Sequence, residues 1–170
     1  MGLEPSFTQL RSNKKRLTKT SAIILAAAGI FASAPSASAS EAFDALKGNW
    51  SGSGSVSFSS GESEKLRCTA HYSGGGSILA FSMKCASSSA QINLSGDLSG
   101  GNKVSGSWNE SSYGLSGGAS GSASGNSVRV RISGGANGYL TLNVSGSRHT
   151  VALSTQGTPV TGVNVSLNRR

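Results

Sequence analysis

Apolar residues occupy alternate positions through most of residues 50–167, and Gly/Ser-rich turn signals interrupt them about every 8 to 12 residues. A period of two means strands, because successive side chains on a strand point to opposite faces. Trp50, Gly52, Gly54, Val56 and Phe58 share one parity. Leu66, Cys68, Ala70 and Tyr72 share the next, followed by Leu79, Phe81, Met83 and Cys85. The pattern continues through Ile92, Leu94, Gly96 and Leu98, then Val104, Gly106 and Trp108, then the Gly/Ala-rich run Leu115, Gly117, Ala119, Gly121 and Ala123. Four more runs centre on Val130, Leu142, Val151 and Val165. The opposite parity is almost throughout Ser, Thr, Asn, Lys and Arg. Such regularity argues against the flexible linker that a count of 24 glycines would otherwise suggest.

About ten strands joined by short loops predict an antiparallel up-and-down meander with one face buried. A meander of that length loses its exposed edges by closing into a barrel. The expected fold class is therefore all-β, a ten-stranded barrel in a single domain over residues 40–170. Residues 41–47 read as a short helical turn before the first strand.

The two cysteines test the register. A two-residue Gly76-Ser77 turn sets Gly75 opposite Ile78, and the same register sets Cys68 directly opposite Cys85. Glycine in the first position suits a type II′ turn. Counting outward from the turn, the pair falls on a non-hydrogen-bonded site, where Cα atoms are about 4.5 Å apart, within reach of a disulfide. A buried Cys68–Cys85 bridge is expected, in keeping with an exported protein.

Residues 1–39 carry the order of a secretory signal peptide. Arg11, Lys14, Lys15, Arg16 and Lys19 precede an apolar run from Ala22 to Phe31, and Ala37-Ser38-Ala39 offers an A-x-A cleavage site. The run is too short to span a bilayer, which takes about 20 residues, and no other long apolar stretch exists, so no transmembrane helix is expected. The implied location is periplasmic or secreted, in a bacterium. The full chain has a formal charge of +8. Residues 40–170 hold ten Lys and Arg against six Asp and Glu, a net +4. Most support for nucleic-acid binding thus belongs to the removable segment.

Gly48-Asn49-Trp50 matches the G-x-W that begins the first strand of calycin barrels, the group of lipocalins, fatty-acid-binding proteins, avidins and nitrobindins. The run Gly48-x-Trp50-x-Gly52-x-Gly54 most resembles the nitrobindin form, and the chain departs from that pattern after Gly54. The resemblance implies a late arginine packed across the tryptophan to close the barrel base. Arg169, with the inward parity of Val163, Val165 and Leu167, is placed for that role.

Catalytic chemistry finds little to stand on. There is no G-x-S-x-G elbow, no dinucleotide or phosphate loop and no zinc-ligand spacing, and an enzyme is not expected. His71 has outward parity. His149 opens the ninth strand with inward parity, as a strand-end residue with one polar contact or, alternatively, as an axial haem ligand. Glu110 continues an inward parity, and a buried carboxylate needs a partner, for which Arg169 and Tyr72 are candidates. The inward glycines and alanines leave two readings open: room for a ligand, or relief that lets strands bend sharply.

Three functional readings follow. In the first, the barrel binds a small apolar ligand of lipid or porphyrin type near Tyr72, Phe81, Trp108, Glu110 and His149. In the second, it is a non-enzymatic envelope or virulence-associated interaction module with a filled interior, acting through Lys65, Arg67, Lys84, Arg129 and Arg131. In the third, it is a small outer-membrane barrel whose apolar parity faces lipid.

Overall fold

The computed structural model describes residues 39–170. Except for Ala39, the leader expected over residues 1–39 lies outside the described residues. A helix, α1 (Ala39–Leu46), precedes ten strands: β1 (Gly48–Phe58), β2 (Ser63–Gly75), β3 (Ile78–Ala86), β4 (Gln91–Gly100), β5 (Lys103–Glu110), β6 (Leu115–Ser124), β7 (Ser127–Gly134), β8 (Asn137–Ser145), β9 (Arg148–Gln156) and β10 (Val160–Arg169). Each strand pairs antiparallel with the next, and β10 returns to β1, so the sheet closes into the expected ten-stranded barrel. Up-and-down connectivity gives the barrel two distinct ends. One, the base, carries the start of β1, the end of β10 and the tight turns at 76–77, 101–102, 125–126 and 146–147. The other, the open end, carries connections 59–62, 87–90, 111–114, 135–136 and 157–159.

The apolar parity faces inward. Val56, Leu66, Leu79, Leu98, Val128 and Leu167 are each at most 1% exposed, while Ser53, Arg67, Lys84, Ser105 and Arg131, on the other parity, lie exposed on the outer wall. A hydrocarbon-facing barrel needs an apolar outer band flanked by aromatic girdles. The polar wall seen here runs against the reading in which the apolar face meets lipid. No described helix is long and apolar enough to cross a membrane.

The β2–β3 hairpin adopts the register set by the Gly76-Ser77 turn, with Gly75 opposite Ile78 and Cys68 opposite Cys85. Gly76 takes φ 59°, the positive sign that a primed turn demands at its first central residue. Cys68 and Cys85 form a disulfide with Cα atoms 4.1 Å apart, and both residues are buried. The bridge closes a loop spanning 17 positions, worth about 3 kcal/mol in the chain-entropy account. Reduction should therefore lower the melting temperature by roughly 10 °C. A melt unchanged by reductant, with thiol counting confirming that the bridge had opened, would remove that contribution.

The inward glycines owe their presence to close approach between strands. A Cβ built on Gly52 would overlap the carbonyl oxygen of Ser166, and one on Gly54 that of Asn164, both on neighbouring β10. Gly106 stands in the same way against Asp97, Gly117 against Ser133 and Gly121 against Arg129. Strong coiling of the sheet tips these Cα–Hα bonds into the adjacent backbone, where no side chain fits. Of the two readings of the small residues, relief of strand bending is the one these contacts support.

Helix α1 buries Ala39, Ala42, Phe43 and Leu46, the i, i+3, i+4, i+7 stripe of an amphipathic helix, and exposes Glu41 and Asp44. It is a little longer than the helical turn expected from the sequence. Its contacts with β2, β3, β6, β7 and β8 lay it across the interior at the base. The helix is a cork, and what it leaves unfilled lies towards the opposite end.

Candidate functional site

At the base, Trp50 is 1% exposed and donates its indole Nε1–H to the carbonyl of Leu46, 2.7 Å away at the C-terminal end of α1. Trp50 pairs with Arg169 across the β1–β10 seam. The Arg169 guanidinium lies over the indole, 4.3 Å from its centroid, a contact worth about 0.5–2 kcal/mol. Its two terminal nitrogens donate to the carbonyls of Ala45, at 2.7 Å, and Lys47. Carbonyls that a helix C-terminus leaves unpaired are thus satisfied by a cation, the sign the helix dipole favours there.

Beneath this lid, His149 is fully buried. Its Nδ1 lies 3.1 Å from the Asn143 carbonyl and its Nε2 2.7 Å from the Tyr72 hydroxyl. A carbonyl only accepts, so Nδ1 carries the proton and Nε2 accepts the Tyr72 O–H. Burial pushes the Tyr72 hydroxyl well above its ordinary range and holds the imidazole below its ordinary 6.5, the Asn143 carbonyl opposing that shift. Both groups are therefore neutral at neutral pH.

The consequence for stability has a definite sign. Between pH 6.5 and the depressed folded value the unfolded chain protonates this histidine while the folded chain does not. The contribution of neutral His149 is complete above pH 6.5 and is lost as pH falls through the depressed folded value. Unfolding free energy should decline below that pH with a slope approaching about 1.4 kcal/mol per pH unit. The paired variant Tyr72→Phe/His149→Leu should show a shallower decline, measured by urea unfolding across the pH series. Identical slopes would assign the acid sensitivity to other groups.

The opposite end is open. A cleft of about 80 Å³ lies there, among Phe81, Leu94, Leu98, Trp108, Leu115, Ala119, Ile132, Leu140, Leu153 and Val160, with Glu110, Tyr113, Thr155, Thr158 and Pro159 also in its wall. Phe81, Leu94, Leu115, Leu153 and Val160 are inward apolar residues that remain only half-buried, and all five line the cleft. Phe81, Gly96, Trp108 and Gly117 stand in one cross-strand row. The Phe81 ring lies over Gly96, which has no Cβ to obstruct it, and the Trp108 indole donates to the Gly118 and Ser133 carbonyls at 3.1 and 3.3 Å. Both aromatic side chains thus occupy space that the missing Cβ of a neighbouring glycine leaves clear.

Glu110 closes the strand that carries Trp108 and is only 7% exposed. Its partners are backbone N–H groups: Oε1 accepts from Asn93 at 2.7 Å and Ser112 at 3.1 Å, and Oε2 from Tyr113 at 2.7 Å. The carboxylate organises the 111–114 connection. Arg169 and Tyr72, the partners considered for it from the sequence, lie at the far end of the barrel.

The structure thus divides the five residues assigned to a ligand pocket. Phe81, Trp108 and Glu110 line the cleft, whereas Tyr72 and His149 belong to the base. The correction has a simple origin: β2 runs down and carries Tyr72 near its base end at Gly75, β9 starts at the base with Arg148 and His149, and β5 runs up and ends at the open end with Glu110. With both ring nitrogens engaged and no place in the cleft wall, His149 does not fit the role of axial haem ligand. Outward-facing His71 bonds the Asn49 side chain at 2.8 Å. Tyr113, Leu153, Thr155, Thr158 and Val160 were not singled out from the sequence. Their signal was position beside connections 111–114 and 157–159, legible only once the two ends are told apart. Among the described residues, no cluster of three or more His, Cys, Asp or Glu could hold a metal ion.

Fold and site together define a corked up-and-down β-barrel with an apolar cleft at its open end. No protein-family model and no curated protein matches the chain. A solved structure does: the crystal structure of Rv2717c from M. tuberculosis, with a TM-score of 0.64 and 16% sequence identity, covering 81% of this chain and 98% of that one. At that identity the likeness is one of fold.

Proposed function

We propose that this protein is a non-enzymatic, calycin-like binding module that takes the apolar part of a small molecule into the open end of its barrel, working in the periplasm or after secretion. One observation carries the reading: five of the inward apolar side chains that stay half-buried converge on one cleft. Water-exposed apolar surface in a concave, otherwise filled interior is where a ligand gains most from burial. The cleft, at about 80 Å³, is smaller than the roughly 300–1,000 Å³ typical of sites that enclose a whole ligand. It suits the end of a hydrocarbon chain or a single ring, with the remainder of the ligand outside. Of the lipid and porphyrin types, the lipid tail is the better match.

N-phenyl-1-naphthylamine, whose fluorescence rises in apolar surroundings, should bind with one-to-one stoichiometry. Ala119→Phe, which adds a ring inside the cleft, should weaken that binding by about tenfold or more while leaving the fold intact by circular dichroism. The absence of any fluorescence rise with the unaltered protein would overturn the reading.

The outer wall favours a second reading, an envelope interaction module. Lys65, Arg67, Lys84, Arg129 and Arg131 are all exposed, and among the described residues the single ion pair is Lys47 with Asp44, 2.7 Å apart beside the helix. Envelope partners captured by the unaltered protein but lost when those five become alanine would favour this reading over the first.

A further inference from the structure

The rim and wall of the cleft carry carboxylates and no cation. Connections 59–62, 87–90, 111–114, 135–136 and 157–159, which form its rim, contain no Lys, Arg or His, and no Lys, Arg or His is among the residues lining the cleft. Glu62, Glu64 and Glu110 all lie at this end. Glu62 stands exposed in the 59–62 connection, which bonds to the cleft through Ser59 N–H and the Pro159 carbonyl, 2.8 Å apart. Hydrogen bonds from the hydroxyls of Ser87 and Ser89 hold the Glu64 carboxyl down to about 2. The cations nearest this end, Lys65, Arg67 and Lys84, have the outward parity and lie exposed on the outer wall, and Lys47, Arg169 and Arg170 lie at the base.

Glu110 is the charged group of the cleft wall itself. Three N–H donors occupy its two oxygens, one of them on Oε2. A carboxylate offers about four acceptor sites, so Oε2 keeps capacity for one more donor. A ligand whose polar end is itself an acceptor anion would meet this carboxylate with no cation to offset it, and like charges brought together in a low-dielectric site repel. A polar end that donates and carries positive charge matches the carboxylates of Glu62 in the rim and Glu110 in the wall.

We propose that the cleft selects amphiphiles with a cationic, hydrogen-bond-donating head, an alkyl or aryl amine, and discriminates against carboxylates. This rests on the cleft being the binding site proposed above, and the test separates the two. Decylamine, decanol and decanoate share one chain and differ in the head. Each is titrated near neutral pH, below its micelle concentration, against protein loaded with N-phenyl-1-naphthylamine. The expected order of displacement is amine, then alcohol, then carboxylate, with about tenfold or more between the first and last. The amine's advantage over the alcohol should narrow as salt screens the rim charges. Glu110→Gln should narrow it as well; if that variant does not fold, the salt series on the unaltered protein still decides. Decanoate binding as well as or better than decylamine, or an amine advantage unmoved by salt, would overturn the head-group assignment and leave the cleft reading standing. Failure of all three, and of the probe itself, would remove the cleft reading and this inference with it.

Discussion

Replacement of Trp50 by alanine should lower the unfolding free energy by about 3–5 kcal/mol, as expected for a fully buried tryptophan. More than apolar area is lost. The indole holds the Leu46 carbonyl at the end of the cork and forms the surface on which Arg169 stacks. Its removal therefore frees the guanidinium that satisfies the Ala45 and Lys47 carbonyls. Arg169→Met keeps much of the stem packing while removing the charge and both hydrogen bonds, so it should cost less, about 1–3 kcal/mol. The two losses should be non-additive, because the residues act as one unit. Urea unfolding of the two single variants and the double variant measures this. A Trp50→Ala cost below about 1 kcal/mol, or strict additivity, would mean that the base is not held in this way.

Gly54→Ala is the second large effect. One methyl group there meets the Asn164 carbonyl of the neighbouring strand. The obstacle is backbone, so no rotamer change relieves it and the β1–β10 seam must shift. A loss of about 1–3 kcal/mol is expected, towards the upper end because the seam closes the barrel. Gly75→Ala is the control: that glycine has open space where a Cβ would go, and its substitution should stay within about 0.5 kcal/mol. Comparable melting temperatures for the two variants would show that the glycines of β1 are not there for close approach.

Much of this molecule is legible along the chain because a strand's period of two is a local property. The parity of Leu66, Cys68, Ala70 and Tyr72 assigns inside and outside without reference to any other strand. Short turns leave each strand little choice but its neighbour, and the Gly76-Ser77 turn sets the Cys68–Cys85 register from sequence spacing alone. The packing of Arg169 on Trp50 followed from parity together with a family resemblance, and the geometry agrees.

The site was less legible, for reasons of position along the barrel axis. Parity says that Tyr72, His149 and Glu110 face inward but not at which height, and the first two lie at the corked base while the third lies at the open end. Counting strand directions would have separated them. It would not have told which end is open, because that depends on α1 folding back across the base and burying Phe43 and Leu46 there. Nor does local spacing reveal that Glu110 is satisfied by the amides of Asn93, Ser112 and Tyr113, since Asn93 is 17 residues away and arrives only through the β4–β5 pairing. Thus the sequence alone determined the strand alternation, the meander, the disulfide and the inward set of residues, each a matter of neighbours along the chain or across one turn. The tertiary structure alone decided which end is filled, which inward residues share the cleft and what charge surrounds it, because these depend on packing between elements that the chain brings together from a distance.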